Sequence, residues 1–369
     1  MNEPETIIMW LNYNSSKILK VVLRSLESIE NLNYEKYLLL IIDNGSTDRS
    51  IDAIEKYVQQ SYTLRSKTKI IKLNHNLGFT GAHNIAWKYL LSRYPGTKFL
   101  AFLNNDARVT SESLDLMTEL LKSFPRTSGI QGIIKIWNTR LIDTFGNYVD
   151  ELLNTFPFMN LRNINEAPFK CFIITYADGS YCVYKVSILK KIMLKGNDIF
   201  PSYSFAYLDD NLLGILSYLN GYNVLSVPIA VGEHYRGLTF RKILGTMSYF
   251  SDRSHIAQIL LINTRYKIPA LLNTISDTIR RALINIIARK RLITINTSIR
   301  AMYDGILLAK AIKVKYGLNV KGKCISKIPL IKLQFKHVLE RMVPPRRRHM
   351  YIIKHIENAI LGKYGFKCI

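Results

Sequence analysis

Residues 38–50, LLLIIDNGSTDRS, decide the fold. Five apolar residues run without a break into Asp43, and a turn of Asn, Gly, Ser, Thr and Asp follows. A continuous apolar run of this length reads as a strand covered on both faces. A carboxylate at its end has no place in an apolar core. It belongs where a strand leaves the sheet and its end can face a ligand.

The same event recurs on either side. The spacing predicts strands over 6–13, 37–42, 69–73 and 98–103, and helices over 15–30, 49–60 and 80–93. Strand one ends in Asn12-Tyr13-Asn14, strand three in Asn74-His75-Asn76-Leu77-Gly78-Phe79, and strand four in Asn104-Asn105-Asp106. Strand and helix alternate, and the strands are apolar runs, so an α/β fold with an open, mostly parallel sheet flanked by helices is expected. Polar ends on successive strands predict one shared ligand crevice at the carboxyl edge. Beyond residue 130 the alternation is irregular. Strands are expected over 171–176 and 181–186, a helix over 207–221, and a short strand before Pro228.

Charge divides the chain. Residues 1–240 carry 25 Lys and Arg against 22 Asp and Glu, whereas residues 241–369 carry 26 against 5, a net of +21. The basic last third predicts an anionic partner, a membrane face or a nucleic acid. No run of about 20 apolar residues is present, so no transmembrane helix is expected. Residues 268–288 form an amphipathic pattern that suits a helix on a membrane or one packed on the core. The four cysteines, Cys171, Cys182, Cys324 and Cys368, have no Cys-x-x-Cys spacing and no leader before them, so a reduced cytoplasmic protein is expected.

Five stretches carry a resemblance: DNGSTDRS (43–50), NLGFTGAHNIA (76–86), FLNNDARV (102–109), ADGSYCV (177–183) and YLDDNLLGILSYLNGYNVLSVPIAVGEHYRG (207–237). In order and spacing they resemble family 2 glycosyltransferases of the GT-A fold, with the rhamnosyltransferase-like members most similar, over roughly residues 5–270. The resemblance implies a catalytic domain over 1–245, with a nucleotide-sugar half to about 130 and an acceptor half over 131–245. Residues 246–369 would be a basic helical region that associates with the inner face of a membrane.

The resemblance also implies roles. Asp43 would contact the base or ribose of a nucleoside-diphosphate sugar, in a donor pocket with Asn14, Asn76, Gly78, Phe79 and Asn84. Asn104-Asn105-Asp106 stands where the family has Asp-x-Asp; only the last carboxylate remains, for a divalent metal (Mg2+ or Mn2+) on the diphosphate. His234 would be a further metal or diphosphate contact, with Arg236 a spare cation. Asp178, Gly179 and Ser180 would lie beneath the sugar or acceptor. Asp209-Asp210 stands at the family's acidic pair, with Asp210 the general base. Leu212 and Leu216 depart from an Asp and an Arg of the family, and Ser254 replaces an Asn after Tyr249 and Arg253.

Elementary chemistry agrees with these residue types. A diphosphate leaving group carries concentrated negative charge, which a hard cation on a few oxygens neutralises. A sugar hydroxyl is a weak nucleophile and needs a carboxylate to take its proton. The implied enzyme inverts the anomeric centre and transfers a sugar to a glycan or lipid-linked acceptor. The alternative is a basic nucleic-acid-binding α/β protein without transferase activity. Its basic segment lacks interleaved aromatics and zinc-ligand spacing, so nucleic acid is not the expected partner. A nucleotidyltransferase would need a Gly-rich loop after strand one, and Asn12-Tyr13-Asn14-Ser15-Ser16 has no glycine.

Overall fold

The computed structural model describes residues 3–236, 246–289, 293–342 and 346–367. Side chains are described for these except at 246–247, 281–289, 293–295, 340–342 and 346–353. The first half alternates as expected: β1 (Thr6–Asn12), α1 (Leu19–Glu30), β2 (Tyr37–Asp43), α2 (Ser50–Gln60), α3 (Tyr62–Lys67), β3 (Thr68–Lys72), α4 (Gly78–Arg93) and β4 (Phe99–Asn104). There follow β5 (Ala107–Val109), α5 (Ser113–Ser123), β6 (Thr127–Ile136), β7 (Ile142–Thr144), β8 (Asn147–Val149), β9 (Thr155–Pro157), β10 (Cys171–Ile174) and β11 (Tyr181–Lys185). The chain continues through α6 (Val186–Ile192), α7 (Asp210–Leu219) and β12 (Asn223–His234). It ends in α8 (Thr246–Leu261), α9 (Lys267–Arg289), α10 (Ile293–Tyr316), α11 (Phe335–Met342), α12 (Arg346–Lys363) and β13 (Gly365–Phe366).

One large sheet has the order β13-β10-β12-β6-β11-β4-β1-β2-β3. Strands β3, β2, β1 and β4 are parallel, while β11 is antiparallel to both β4 and β6. The period-two alternation of each strand sorts its side chains into two cores. Ile7, Met9, Leu38, Leu40 and Ile42 join the layer packed by Ala82, Ala86, Trp87 and Leu90 of α4. Ile8, Trp10, Leu39 and Ile41 join the layer of Val22, Leu26, Ile54, Val58 and Leu114 on the opposite face. Burial on both sides is why these strands read as unbroken apolar runs.

Three features depart from the expectation. β6 is ten residues long and was not anticipated, because Gly129, Gln131 and Gly132 interrupt its apolar run. β12 continues through Pro228 to His234, where only a short strand before Pro228 was expected. A register shift between Ser226 and Ala230 takes the proline out of the ladder with β6. Cys171 is disulfide-bonded, which departs from the reduced state expected; Cys182 and Cys324 are free thiols.

Residues after 245 share the hydrophobic core of the sheet. Ala257, Ile259 and Ile262 from α8 and the turn after it, and Leu308 and Ile312 from α10, belong to the same cluster as the central strands. β13 adds a strand beside β10. Among the described residues no helix is long and apolar enough to cross a membrane.

Candidate active site

The carboxyl ends of β1, β2 and β4 are tied together by one buried amide. Asn12 Nδ2 donates to Asp43 Oδ1 at 2.8 Å and lies 3.1 Å from Ser50 Oγ. Its Oδ1 accepts from Ser15 Oγ at 2.5 Å and from Asn105 Nδ2 at 3.4 Å. Asp43 also accepts from Ser46 N (3.1 Å) and Ser46 Oγ (2.6 Å), so much of its acceptor capacity holds its own turn. Gly45 is required in that turn: its φ is +71°, and a Cβ there would lie 2.7 Å from the backbone of His75. Asn44 links this edge to the end of β3, donating to Asn76 Oδ1 at 2.8 Å and accepting from Leu77 N at 2.9 Å.

Beyond β4 an acidic and basic cluster is buried. His234 Nε2 lies 3.2 Å from Asp106 Oδ1, and its Nδ1 lies 3.1 Å from Asp143 Oδ2. Arg236 Nε meets the other Asp143 oxygen at 2.5 Å. Burial disfavours a charged imidazole, but Asp106 and Asp143 outweigh it, with Asp178 adding to them, and raise His234 to about 10. Tyr235 N donates to the Asp106 carbonyl at 2.8 Å, which pins β12 to the Asn104-Asn105-Asp106 turn.

The third group stands at the start of α7. Asp209 is the N-cap, accepting from Asp210 N. Asp210 Oδ1 accepts from Asn211 N at 2.8 Å and Oδ2 from Gly179 N at 3.3 Å. Gly179 is also where Phe79 arrives: a Cβ there would be 3.7 Å from Phe79 Cζ and 3.9 Å from Asp210 Oδ2. Burial, then Asp209 and Asp178, hold the Asp210 carboxyl well above the ordinary carboxylate range. Asp178 behaves oppositely. Burial alone would raise it, but Arg236, His234 and the hydrogen bonds from Ser180 bring it below its usual value. The pocket therefore holds carboxylates of opposed character within electrostatic reach of each other, the arrangement that separates acid, base and binding roles.

The segment that delivers Asp209 and Asp210 is strained and clamped. Phe205, Tyr207 and Leu208 have φ of 61°, 62° and 56°, in the left-handed region that non-glycine residues avoid. Asn84 bridges Ile199 N, Phe200 N and Phe200 O at 3.0, 3.0 and 2.8 Å. Gly78, at φ +73°, lets α4 begin against Phe205; a Cβ there would sit 2.3 Å from the Phe205 carbonyl oxygen. From the C-terminal helices, Arg253 donates to the Ser204 carbonyl. Its guanidinium lies 4.8 Å from the Phe250 ring centroid, and that ring stacks on Phe205 at 5.0 Å. Tyr316 and Lys315 of α10 bind Ser202 at 2.9 and 2.7 Å.

Glycosyl transferase family 2 matches residues 7–193, just over half of the sequence. The chain belongs to this family. It is therefore a glycosyltransferase, and its sheet is that of the GT-A fold. Solved structures of similar fold include Staphylococcus aureus TarS 1-349, at 18% identity and a TM-score of 0.50 over 97% of this chain and 91% of that one. The mannosyltransferase PcManGT from Pyrobaculum calidifontis, solved with GDP-Man and Mn2+, has 12% identity and a TM-score of 0.51, over 98% of this chain and 87% of that one. GalNAc-T7, solved with UDP, GalNAc and Mn2+, has 12% identity and a TM-score of 0.50, over 69% of this chain and 50% of that one. No curated protein matches the sequence.

Within the family frame, the residues expected at the site divide in two. Asn12 joins Asp43 to Asn105, His234 pairs with Asp106 and Asp143 joins it to Arg236, Asp178 senses both cations, and Gly179 meets Asp210 and Phe79. Asn84 binds the Ile199–Phe200 backbone, its Oδ1 accepting from both N–H groups and its Nδ2 donating to the Phe200 carbonyl. Asn14 is exposed at φ 45° and accepts from Thr47 N at 2.8 Å, holding the turn after β2. Asn76 accepts from Asn44 and from Gly78 N (2.8 Å) and so shapes the start of α4. Asn104 donates its N–H to the Ser180 carbonyl at 3.0 Å, while Ser180 Oγ is buried without a hydrogen-bond partner among the described residues. Asp143 was missed. It lies in an irregular stretch where no periodicity marks a strand end. Asn44 was legible only as a turn residue.

Proposed function

We propose that the enzyme is inverting and moves a sugar from a nucleoside-diphosphate sugar to a hydroxyl of a glycan or lipid-linked acceptor, with Asp210 as general base. One observation carries this reading: Asp210 lies against Gly179 and Asp178, and its carboxyl is held well above the ordinary range. A carboxylate of raised pKa is a stronger base. Asp210 takes the acceptor proton as the acceptor oxygen bonds to the anomeric carbon. The bond from that carbon to the diphosphate breaks on the opposite face, and its electron pair leaves with the diphosphate. A single displacement inverts the centre. Asp209, as N-cap, orients the first turn of α7 and adds the neighbouring charge that raises Asp210.

The donor would lie along Asn12, Asp43, Asn105 and Phe79. TarS has been solved with UDP-GlcNAc and PcManGT with GDP-Man, which supports a nucleotide-sugar donor here; a rhamnosyl-type sugar is part of the proposal. A divalent cation would be held by Asp106 and His234. Among the described residues no cluster of three or more ligating side chains exists, so phosphate oxygens and water would complete the shell. The fit is supported by the Asp106–His234 pair facing each other at 3.2 Å and by Asp143 behind Nδ1, the carboxylate that orients a ligating imidazole. Such a cation supplies charge neutralisation on the departing diphosphate when bound. We further place the enzyme on an anionic membrane surface, which the net charge of +21 after residue 240 supports. The Arg289-Lys290-Arg291 and Arg346-Arg347-Arg348 clusters lie outside the described side chains.

The test is transfer from a panel of UDP-, GDP- and thymidine-diphosphate sugars with Asp210→Asn as control. The variant should retain donor binding and lose about 10²–10⁴-fold in kcat. Undiminished transfer by it removes Asp210 from the base role.

A further inference from the structure

Over its described side chains, residues 267–280, helix α9 turns polar groups inward and apolar groups outward. Its buried positions are Ala270, Asn273, Thr274 and Thr278, and Thr278 Oγ1 reaches Asp252 of α8 at 3.5 Å. Its exposed positions include Ile268, Leu272, Ile275 and Ile279, open by 70, 50, 38 and 51%. Steps of four, three and four put these on one stripe. An ordinary surface helix turns such a stripe to the core and its amides and hydroxyls to water; α9 does the reverse.

Helix α10 is apolar on two opposite faces. Ala301, Leu308, Ala309 and Ile312 are buried, and Gly305 between them packs against Arg253 and Ile256 of α8. Ile299, Tyr303, Ile306 and Val314, on the opposite face, are open by 60, 63, 53 and 78%. Contiguous exposed apolar side chains on this scale mark an interaction surface.

We propose that the outward faces of α9 and α10 are a membrane-contact surface that enters the headgroup and acyl boundary of an anionic bilayer. Charge selects this occupant. The segment that carries both faces has 26 Lys and Arg against 5 Asp and Glu. Lys310 is exposed between Ile306 and Val314, and Arg280 and Arg300, ion-paired with Asp277 and Asp304, flank the stripes with half or more of their side chains exposed. Exposed apolar side chains on a strongly basic segment match an anionic lipid surface. A second copy would bring the same positive charge against itself. The contact is with one leaflet, since no described helix can span a bilayer. That the surface serves a lipid-held acceptor rests on the proposed function; the surface itself does not.

The full chain is tested by co-sedimentation with vesicles of equal phosphatidylglycerol and phosphatidylcholine, and with phosphatidylcholine alone. Salt is set at ~0.1 M, where charges more than about 10 Å apart are screened. The wild type should sediment with the anionic vesicles. The variant L272N/I275N/Y303S/I306N should bind them about tenfold or more weakly. Its donor binding should be unchanged and its unfolding still cooperative, with at most a modestly lower melting temperature, because the altered side chains are 38–63% exposed and lie outside the proposed site. Undiminished binding by the variant overturns the proposal, as does a wild type that ignores anionic vesicles. A solution dimer dispersed by the same substitutions also overturns it, and names a second copy as occupant. Vesicle binding lost in the variant of a chain that transfers no sugar from any donor upholds this surface and overturns the proposed function instead.

Discussion

Asp210 and His234 are the residues whose chemistry depends most on their neighbours. Burial and the charges of Asp209 and Asp178 raise Asp210, so its base form disappears as pH falls through a value above the ordinary carboxylate range. The acid limb of the kcat profile should lie above that range. Asp178→Asn removes one like charge, and the limb should move to lower pH; a stationary limb separates the two residues. His234, raised to about 10, is an imidazolium at neutral pH, and a cation held there would have to compete with its proton. Mn2+ binding should therefore tighten as pH rises, with proton release measurable by calorimetry in two buffers. Asp143→Asn, which loses the charge behind Nδ1, should weaken that binding by about 10–100-fold. An affinity independent of pH would take His234 out of the ligand set.

At the scale of elements, the strand ends fix where the polar edge lies and the clamp on residues 199–208 fixes where Asp209 and Asp210, the proposed base, stand. Arg253 reaches into that segment through the Ser204 carbonyl and the Phe250 ring. It touches no reacting atom in this arrangement and acts by position. Arg253→Lys keeps the charge but loses the planar fork and its stacking. Its kcat should fall about tenfold with the donor KM little changed, since misplacement of a catalytic group acts on the chemical step. Equal kcat would show that the loop holds without it. The parallel half of the sheet was legible because β1, β2 and β4 are buried on both faces and carry no polar interruption. β6 was not, because its glycines let neighbouring chains approach: a Cβ at Gly132 would lie 2.3 Å from Val231 Cγ1. The backbone contacts of Asn84 were not legible for a related reason. An amide on α4 has no sequence signal that separates a ligand from a backbone 116 residues away.

At the scale of the whole molecule, the residues after 245 are part of the enzyme's core as well as its basic surface. Ile259, Ile312 and Tyr316 pack in the cluster that holds Leu40 and Phe102, and Tyr316 and Arg253 brace the segment before Asp210. Deleting 246–369 should therefore abolish cooperative unfolding and transfer together, followed by circular dichroism on heating and by sugar transfer. A truncated chain that melts cooperatively and retains activity would make the C-terminal helices a dispensable appendage.

By itself the sequence determined the alternating half of the fold, the polar edge of the sheet, the paired carboxylates at 209 and 210, and the division of charge. Each is written in local periodicity or composition, which neighbours in the chain are enough to express. Only the tertiary structure decided that Asp143 stands behind His234, that Asn84 holds the Ile199–Phe200 backbone, and that α9 turns Ile268, Ile275 and Ile279 outward. These depend on which groups meet across the fold. An amphipathic stripe carries no mark of which side will find a partner, and a lone Asp or Asn carries none of what will face it.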